Sequence, residues 1–433
     1  MSSDLLYWVW LSQRLGPGSR RLPGLMARFG TAYDVYRATD EELTGFDADG
    51  NERLHPLTDK NLDEACRTVE FCSARRIDIL TYADPRYPSR LRSLQDPPAV
   101  LYCRGRLPDL ENRLCIAVVG TRKMTEYGRD AAYKIAYELS EAGALTVSGM
   151  ALGVDALAAC GALSAGAPTV AVLGCGVDRV YPAKHRALMD AIIEKGCVIS
   201  EFMPGTEPRG YHFPMRNRII SGLCQGTLVV EADESSGALI TARDAILQGR
   251  QIFALPGNVT APGSKGTNTL IIEGAQPVTC ANGILECYRE LYGATLSELD
   301  GRRSKSDFSP RNAKKYKLYY AVEEVERTPT PAEVKPTPPS KTEKPKKAEK
   351  AVAEPKKVAP VPVAEAALKD DPRLEKLDES GKRIYAALKT DADTRLEALM
   401  SLGIPVPQVM ATLTVLEIMG LAEQRPGSAY RKK

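Results

Sequence analysis

Long apolar runs, metal-ligand spacings and a strong net charge are all missing from this sequence, and each absence removes a class of function. No uninterrupted apolar stretch approaches the roughly 18 to 20 residues that cross a bilayer. The opening MSSDLLYWVWLSQRLG lacks a basic n-region and a small-residue cleavage site. Neither a signal peptide nor an anchor is read there, and a cytoplasmic protein without membrane insertion is expected. Ten cysteines occur without a single CxxC pair. Cys115, Cys175 and Cys197 fall in apolar, strand-like runs, where cysteine acts as a small hydrophobe. Three histidines, His55, His185 and His212, stand far apart with no HExxH spacing, so no metal centre is expected. Fifty-eight basic against 55 acidic residues leave a net charge of +3. A nucleic-acid ligand would therefore have to be held by local charge.

The common nucleotide and catalytic signatures are missing too. There is no GxxxxGK followed by Ser or Thr, which disfavours a Walker-type NTPase. There is no GxGxxG with an acidic residue about 20 positions on, which disfavours a dinucleotide site. No serine sits in GxSxG. No enzyme activity and no cofactor are expected.

At 433 residues the chain is long enough for two or three folding units. Composition divides it into 1–80, a helical domain; 81–298, an extended Rossmann-like domain; 299–368, a basic and then Pro/Lys-rich linker; and 369–433, a winged-helix domain. In the first, a glycine turn in Leu15–Gly30 precedes a basic helix, and Thr39 begins TDEELTGF as an N-cap. Helix, glycine turn, helix outlines a helix-hairpin-helix or SAM-like unit whose turn amides, with Arg20 and Arg21, suit a phosphate. A plain helical hairpin fits equally.

From about 112 to 280, short β-branched runs alternate with helical stretches such as Arg129–Ala142 and Lys184–Lys195. The strands are read at Leu114–Gly120, Leu145–Gly149, Thr169–Gly176, Cys197–Glu201, Thr227–Ala232 and Gln251–Gly257. Strands apolar on both faces, alternating with helices, predict a doubly wound parallel α/β sheet. Its ligand would sit at the carboxyl ends of the strands. Residues 327–365 read as an extended, disordered spacer. Beyond it, helices are predicted at Lys382–Leu388, Thr394–Leu402 and Val406–Met419, then two short strands. The candidate recognition helix VPQVMATLTVLEIM has no Lys or Arg and only Gln408 to offer base edges, so a packing or protein-contacting role is read for it.

The chemistry is concentrated just after the strands. Gly120 permits a tight turn, Thr121 supplies a hydroxyl and Arg122 a planar fork for phosphate. Ser148 and Gly149 open a second glycine turn, and Asp155 is placed to cap the next helix. In HFPMRNRIISG (212–222), Arg216 and Arg218 flank Asn217 at the mouth of the sheet. Guanidiniums there neutralise phosphates, and Phe213 and Tyr211 offer flat faces to unstacked bases. A second reading pairs Arg216 and Arg218 with carboxylates such as Glu231 and places Phe213 in the core.

In order along the chain come DPRYPSRL, DPPAVLYCRG, GTR, SGMALGVDA, LGCGVDRVYP, SEF, HFPMRNRIISG, SGALITA, PGN and GTNTLIIEGA. This series resembles the DNA-processing protein A family (DprA, also called Smf) over residues 84 to 280. The resemblance implies a protein that binds single-stranded DNA, protects it during natural transformation and loads the RecA recombinase, as a dimer formed through the Rossmann-like domain. It assigns DNA binding to Gly120, Arg122, Ser148, Gly149, Lys184, Phe213, Arg216, Asn217 and Arg218. Two positions depart from the family pattern: Ala159 replaces a frequent histidine, and Thr267 replaces a cysteine. Two other classes stay in view. A phosphoribohydrolase-type enzyme would use a PGGxGT loop, where this chain has EADESSGALITA with Glu231. A transcription regulator would need the bare C-terminal helix to read bases.

Overall fold

The computed structural model describes residues 3–43 and 57–299, then 379–389 and scattered residues from 394 to 432. The described residues fall into two compact units, one within 1–334 and the other within 335–433.

The first unit is built on a nine-stranded sheet. Its strands are β1 (Asp78–Thr81), β2 (Val100–Gly105), β3 (Cys115–Val119), β4 (Leu145–Ser148), β5 (Thr169–Val172), β6 (Cys197–Ser200), β7 (Gly226–Val229), β8 (Gln251–Ala254) and β9 (Gln276–Pro277). They lie in the order β1-β2-β6-β5-β4-β3-β7-β8-β9. From β6 to β9 every pairing is parallel, while β1–β2 and β2–β6 are antiparallel. All six strands read from sequence are present. The two antiparallel strands were not foreseen, because DILT and VLYCRG lack the helix-strand alternation that marks the others.

Strand periodicity divides the core in two. Ile116, Val118, Ala171, Val198, Leu228 and Phe253 join one apolar cluster; Cys115, Ala117, Val119, Val147, Val172, Ile199 and Val229 join the other. The crossovers from β3 to β6 run through helices Glu126–Glu141, Val154–Ser164 and Arg186–Lys195, which pack on the first face. The chain then returns to place β7 beside β3. Helices His212–Gly222, Gly237–Leu247 and Pro262–Ile272 cover the second face. Winding reverses between β3 and β7, and the crevice outside their carboxyl ends is where such sheets bind ligands.

The N-terminal helices share the first cluster: Trp8, Trp10, Leu22 and Leu25 pack in one continuous core with Tyr102 and Val100 of β2. Thr39 begins the Asp40–Leu43 helix with a capping box, its amide donating to Glu42 Oε2 at 2.9 Å and its hydroxyl accepting from the Glu42 amide at 3.3 Å. The Thr39 amide, and then its hydroxyl, which donates to the same Oε2 at 3.2 Å, hold the Glu42 carboxyl below its ordinary range. Cys115, Cys175 and Cys197 are buried free thiols. Among the described residues no helix is long and apolar enough to cross a membrane, and no side-chain group has a metal-binding arrangement.

In the second unit a helix spans Glu379–Ala387, and strands β10 (Thr394–Arg395), β11 (Ala422–Arg425) and β12 (Ala429–Lys432) form an antiparallel sheet ordered β10-β12-β11. The closing strand pair matches the sequence expectation. Thr394 and Arg395 do not: they pair with Tyr430 and Ala429 instead of starting a helix. The Pro/Lys linker, and most of the predicted Val406–Met419 helix, lie outside the described residues.

Candidate nucleic-acid interface

Gly120 follows β3 against the start of the Val154–Ser164 helix; a Cβ on it would stand 2.6 Å from Val154 Cγ2. The Thr121 amide donates to the Glu231 carbonyl at 2.7 Å, tying the β3 turn to the end of β7. The Glu231 carboxylate accepts from the Thr125 amide at 2.8 Å and from the Thr125 hydroxyl at 2.6 Å. Thr125 in turn N-caps the Glu126–Glu141 helix, accepting from the Gly128 amide. Glu231 thus anchors the loop that presents Arg122, and it is not the arginine partner that sequence reasoning named.

After β4, the Ser148 hydroxyl turns inward and donates to the Val118 carbonyl at 2.7 Å. The Gly149 amide donates to Asp155 Oδ2 at 3.1 Å. Asp155 therefore closes the turn before its helix, whose N-cap is Gly153. Burial raises the Asp155 carboxyl above its ordinary range, against the pull of Arg216 and Arg122. Met150 follows with a φ of +54°, rare for a side-chain-bearing residue. Its carbonyl meets His185 Nδ1 at 3.0 Å.

The arginine pair is the main correction. Expected as an open cationic cluster, Arg216 and Arg218 are 4% and 7% exposed. Residues two apart on a helix point about 200° away from each other, and these two serve opposite sides. Arg216 donates to the Gly149 carbonyl at 2.9 Å and also to the Val172 carbonyl. Burial pushes its guanidinium down to about 10, with Asp155 opposing the shift and Arg122 adding to it. Gly149 leaves the room this requires, since a Cβ there would stand 2.1 Å from Arg216 Nη1. Asn217 accepts from Arg216 Nε at 3.1 Å and donates to the Gly237 carbonyl at 3.4 Å. Arg218 pairs with Glu201 at 2.5 Å and with Asp96 at 3.4 Å. A carboxylate partner was foreseen, but Glu231 was named in place of Glu201. Of the two readings of the N-terminal glycine turn, packing is the one its contacts favour: the Gly18 amide donates to Glu201 Oε1 at 3.1 Å, and Arg21 Nη2 faces the Leu15 carbonyl.

The rim residues that are exposed form a smaller set. Arg122 is exposed, and its guanidinium lies 5.5 Å from the centroid of Phe213. It makes no ion pair among the described residues. Phe213 is half-buried, with Tyr181 stacked on it at 5.2 Å and an interplanar angle of 27°. Lys184 is exposed on the Ala183–His185 turn of the loop that carries Tyr181. Arg209 donates to the hydroxyl of the exposed Tyr211 at 3.1 Å. The structure thus brings Arg122 to Phe213 at the surface and Gly149 to Arg216 beneath it. Sequence reasoning missed Tyr181 and Glu201, although both stood within quoted motifs.

The family model described as DNA recombination-mediator protein A matches residues 78–289, from β1 to beyond the Ala281–Leu285 helix that follows β9. The DNA processing protein DprA of Bacillus subtilis (strain 168) is 39% identical over 210 residues, 48% of this chain and 71% of the relative. DprA of Streptococcus pneumoniae (strain R6) is 40% identical over 224 residues, 52% of this chain and 78% of the relative. The X-ray structure of DprA from Streptococcus pneumoniae superposes with a TM-score of 0.55 at 30% identity, covering 65% of this chain and 97% of that one. With its sheet, its switch-point turns and this extent of identity, the chain belongs to the DNA recombination-mediator protein A family.

Proposed function

We propose that this chain binds single-stranded DNA across the carboxyl-end rim of β3, β4 and β5. In this reading it protects incoming DNA in the cytoplasm during natural transformation and, as a homodimer, loads the RecA recombinase onto it. Family membership and the relatives named as DNA processing proteins support the DNA-processing part. The observation that carries the binding reading is Arg122: an exposed guanidinium without a carboxylate partner among the described residues, set against an aromatic pair. A fork free to take a phosphate, beside rings that take a base face, recognises nucleotides whose bases are unpaired. A duplex keeps its base faces stacked inside and offers such rings nothing.

Site roles divide accordingly. Arg122 and Lys184 form the cationic contact set, beside the ring pair of which Phe213 is the inner member. Gly120, Ser148, Gly149, Arg216, Asn217 and Arg218 shape the turns and the helix that hold it. The proposed boundaries remain a helical domain at 1–80, the Rossmann-like domain at 81–298, a linker at 299–368 and a winged-helix domain at 369–433. Glu231, the one carboxylate open to an enzymatic reading, has both oxygens engaged by Thr125, which favours binding over catalysis.

The test is a titration of oligo-dT and of a duplex of equal length at two salt concentrations, with Arg122→Ala beside the wild type. Single-strand binding should be tighter than duplex binding and should weaken with salt. Equal affinity for both forms, or an Arg122→Ala variant that binds like wild type, refutes the assignment.

A further inference from the structure

Phe213 is poorly placed to receive a base itself. The Arg122 guanidinium lies over its ring at 5.5 Å, and Tyr181 is stacked on it at 5.2 Å. Gly174 closes on its edge so tightly that a Cβ there would stand 2.9 Å from Phe213 Cδ1. A base reaching Phe213 would have to displace one of these neighbours. Tyr181, in contrast, is 38% exposed, and one side of its ring is already committed to Phe213.

Resting on the single-strand reading above, we propose that Tyr181 is the base-stacking residue of this site. Its solvent-facing side receives one unpaired base, and Phe213 is the support that fixes the ring. Phe213 lies in the first turn of the His212–Gly222 helix, which is locked three residues on, where Arg216 bonds the carbonyls of Gly149 and Val172. The support is therefore anchored in the sheet. A ring held before the ligand arrives loses little side-chain freedom on binding, and this makes a small contact area effective. Because every base has a π-face, the contact discriminates base from no base, and not one base from another. The more exposed Tyr211, at 58%, meets His212 edge-on at 4.5 Å, with no ring stacked on it among the described residues.

The experiment compares two oligonucleotides of equal length, oligo-dT and an abasic chain of tetrahydrofuran sites carrying the same phosphates. Full-length wild type, Tyr181→Leu, Tyr181→Phe and Phe213→Leu are titrated with each. Wild type should prefer oligo-dT. Tyr181→Leu should lose roughly five- to 150-fold on oligo-dT and nothing on the abasic chain, while Tyr181→Phe restores the preference. Phe213→Leu should weaken the preference in the same direction, because the ring loses its support. Tyr181→Leu with the wild-type ratio of the two affinities overturns the assignment and leaves single-strand binding standing. Equal losses on both chains also overturn it, since the tyrosine would then act on the backbone path. Wild type that binds neither chain overturns the single-strand reading itself.

Discussion

Glu201 Oε2 and Arg218 Nη2 lie 2.5 Å apart beneath the rim, each side chain less than a tenth exposed. The same carboxylate takes the Gly18 amide through its other oxygen, and Asp96 Oδ2 lies 3.4 Å from Nε of the guanidinium. One buried pair therefore joins β6, the His212–Gly222 helix and the N-terminal glycine turn. Removing a single member of a buried pair leaves the other charge desolvated and uncompensated, at about 3–5 kcal/mol. Arg218→Ala should accordingly lower the denaturant midpoint sharply, and Glu201→Ala should do the same. Any loss of DNA affinity in Arg218→Ala should follow the loss of folded protein. An Arg218→Ala variant of wild-type stability that no longer binds DNA would instead make Arg218 a direct contact.

The acids around Arg218 give stability a pH dependence with a definite sign. Burial, and then the neighbouring Asp96, raise the Asp244 carboxyl to about 6 from an ordinary 3.8, while Arg218 pulls it down. A folded-state value above the unfolded one contributes stability that is complete below 3.8 and lost as pH rises through about 6. Burial raises Glu201 in the same direction. Asp244→Asn should therefore raise the melting temperature at about pH 7.5, with the gain shrinking towards about pH 4.5. A gain that is equal across this range, or larger in acid, would contradict the mechanism.

Gly149→Ala tests the packing under the rim. The added methyl would overlap the Arg216 guanidinium, with contacts of 2.1 to 2.5 Å to three of its atoms. Arg216 would have to leave the carbonyls of Gly149 and Val172. Overpacking of this kind costs about 1–3 kcal/mol, and displaced support should weaken oligo-dT binding as well. Gly210→Ala is the control, because nothing lies within 4 Å of its added methyl. Calorimetry and anisotropy on both variants decide whether the effect belongs to Arg216 or to any glycine replacement near the site.

These residues also show how far sequence reaches. The parallel strands were legible because burial on both faces forces an unbroken apolar run, as in Cys115–Val119 and Cys197–Ser200. Gly149 was legible as a tight spot, since only glycine admits such an approach. The fate of Arg216 and Arg218 was not. RNR at the start of a helix reads as a cationic surface, but their partners Gly149, Val172 and Glu201 stand 67, 44 and 17 residues away. No local pattern carries that information. Tyr181 was hidden for the same reason: its use depends on Phe213, which arrives only after one further helix and strand β6.

Arg122 should behave unlike the buried arginines. It is exposed and has no ion pair among the described residues, so Arg122→Ala should change stability by no more than about 0.5 kcal/mol. Binding should report the loss instead. One phosphate contact removed from a single strand lowers the slope of log affinity against log salt by about 0.7. Titrations of oligo-dT across a salt series give that slope directly. An unchanged slope with weakened affinity would mean that Arg122 acts through Phe213 and not on a phosphate.

Glu231 separates binding from catalysis. Its backbone carbonyl takes the Thr121 amide, and its carboxylate takes both the amide and the hydroxyl of Thr125. A general acid or base needs an oxygen within reach of substrate, whereas these are committed to the loop that presents Arg122. In Glu231→Gln the new amide nitrogen cannot accept from Thr125, which leaves a buried donor unmatched at about 1–3 kcal/mol. The variant should therefore melt earlier and bind oligo-dT more weakly through a loosened Arg122 loop. Incubated with nucleoside monophosphates, the wild-type protein should release no free base by chromatography. Release by the wild type that vanishes in Glu231→Gln, with melting unchanged, would instead make Glu231 a catalytic residue of a hydrolase.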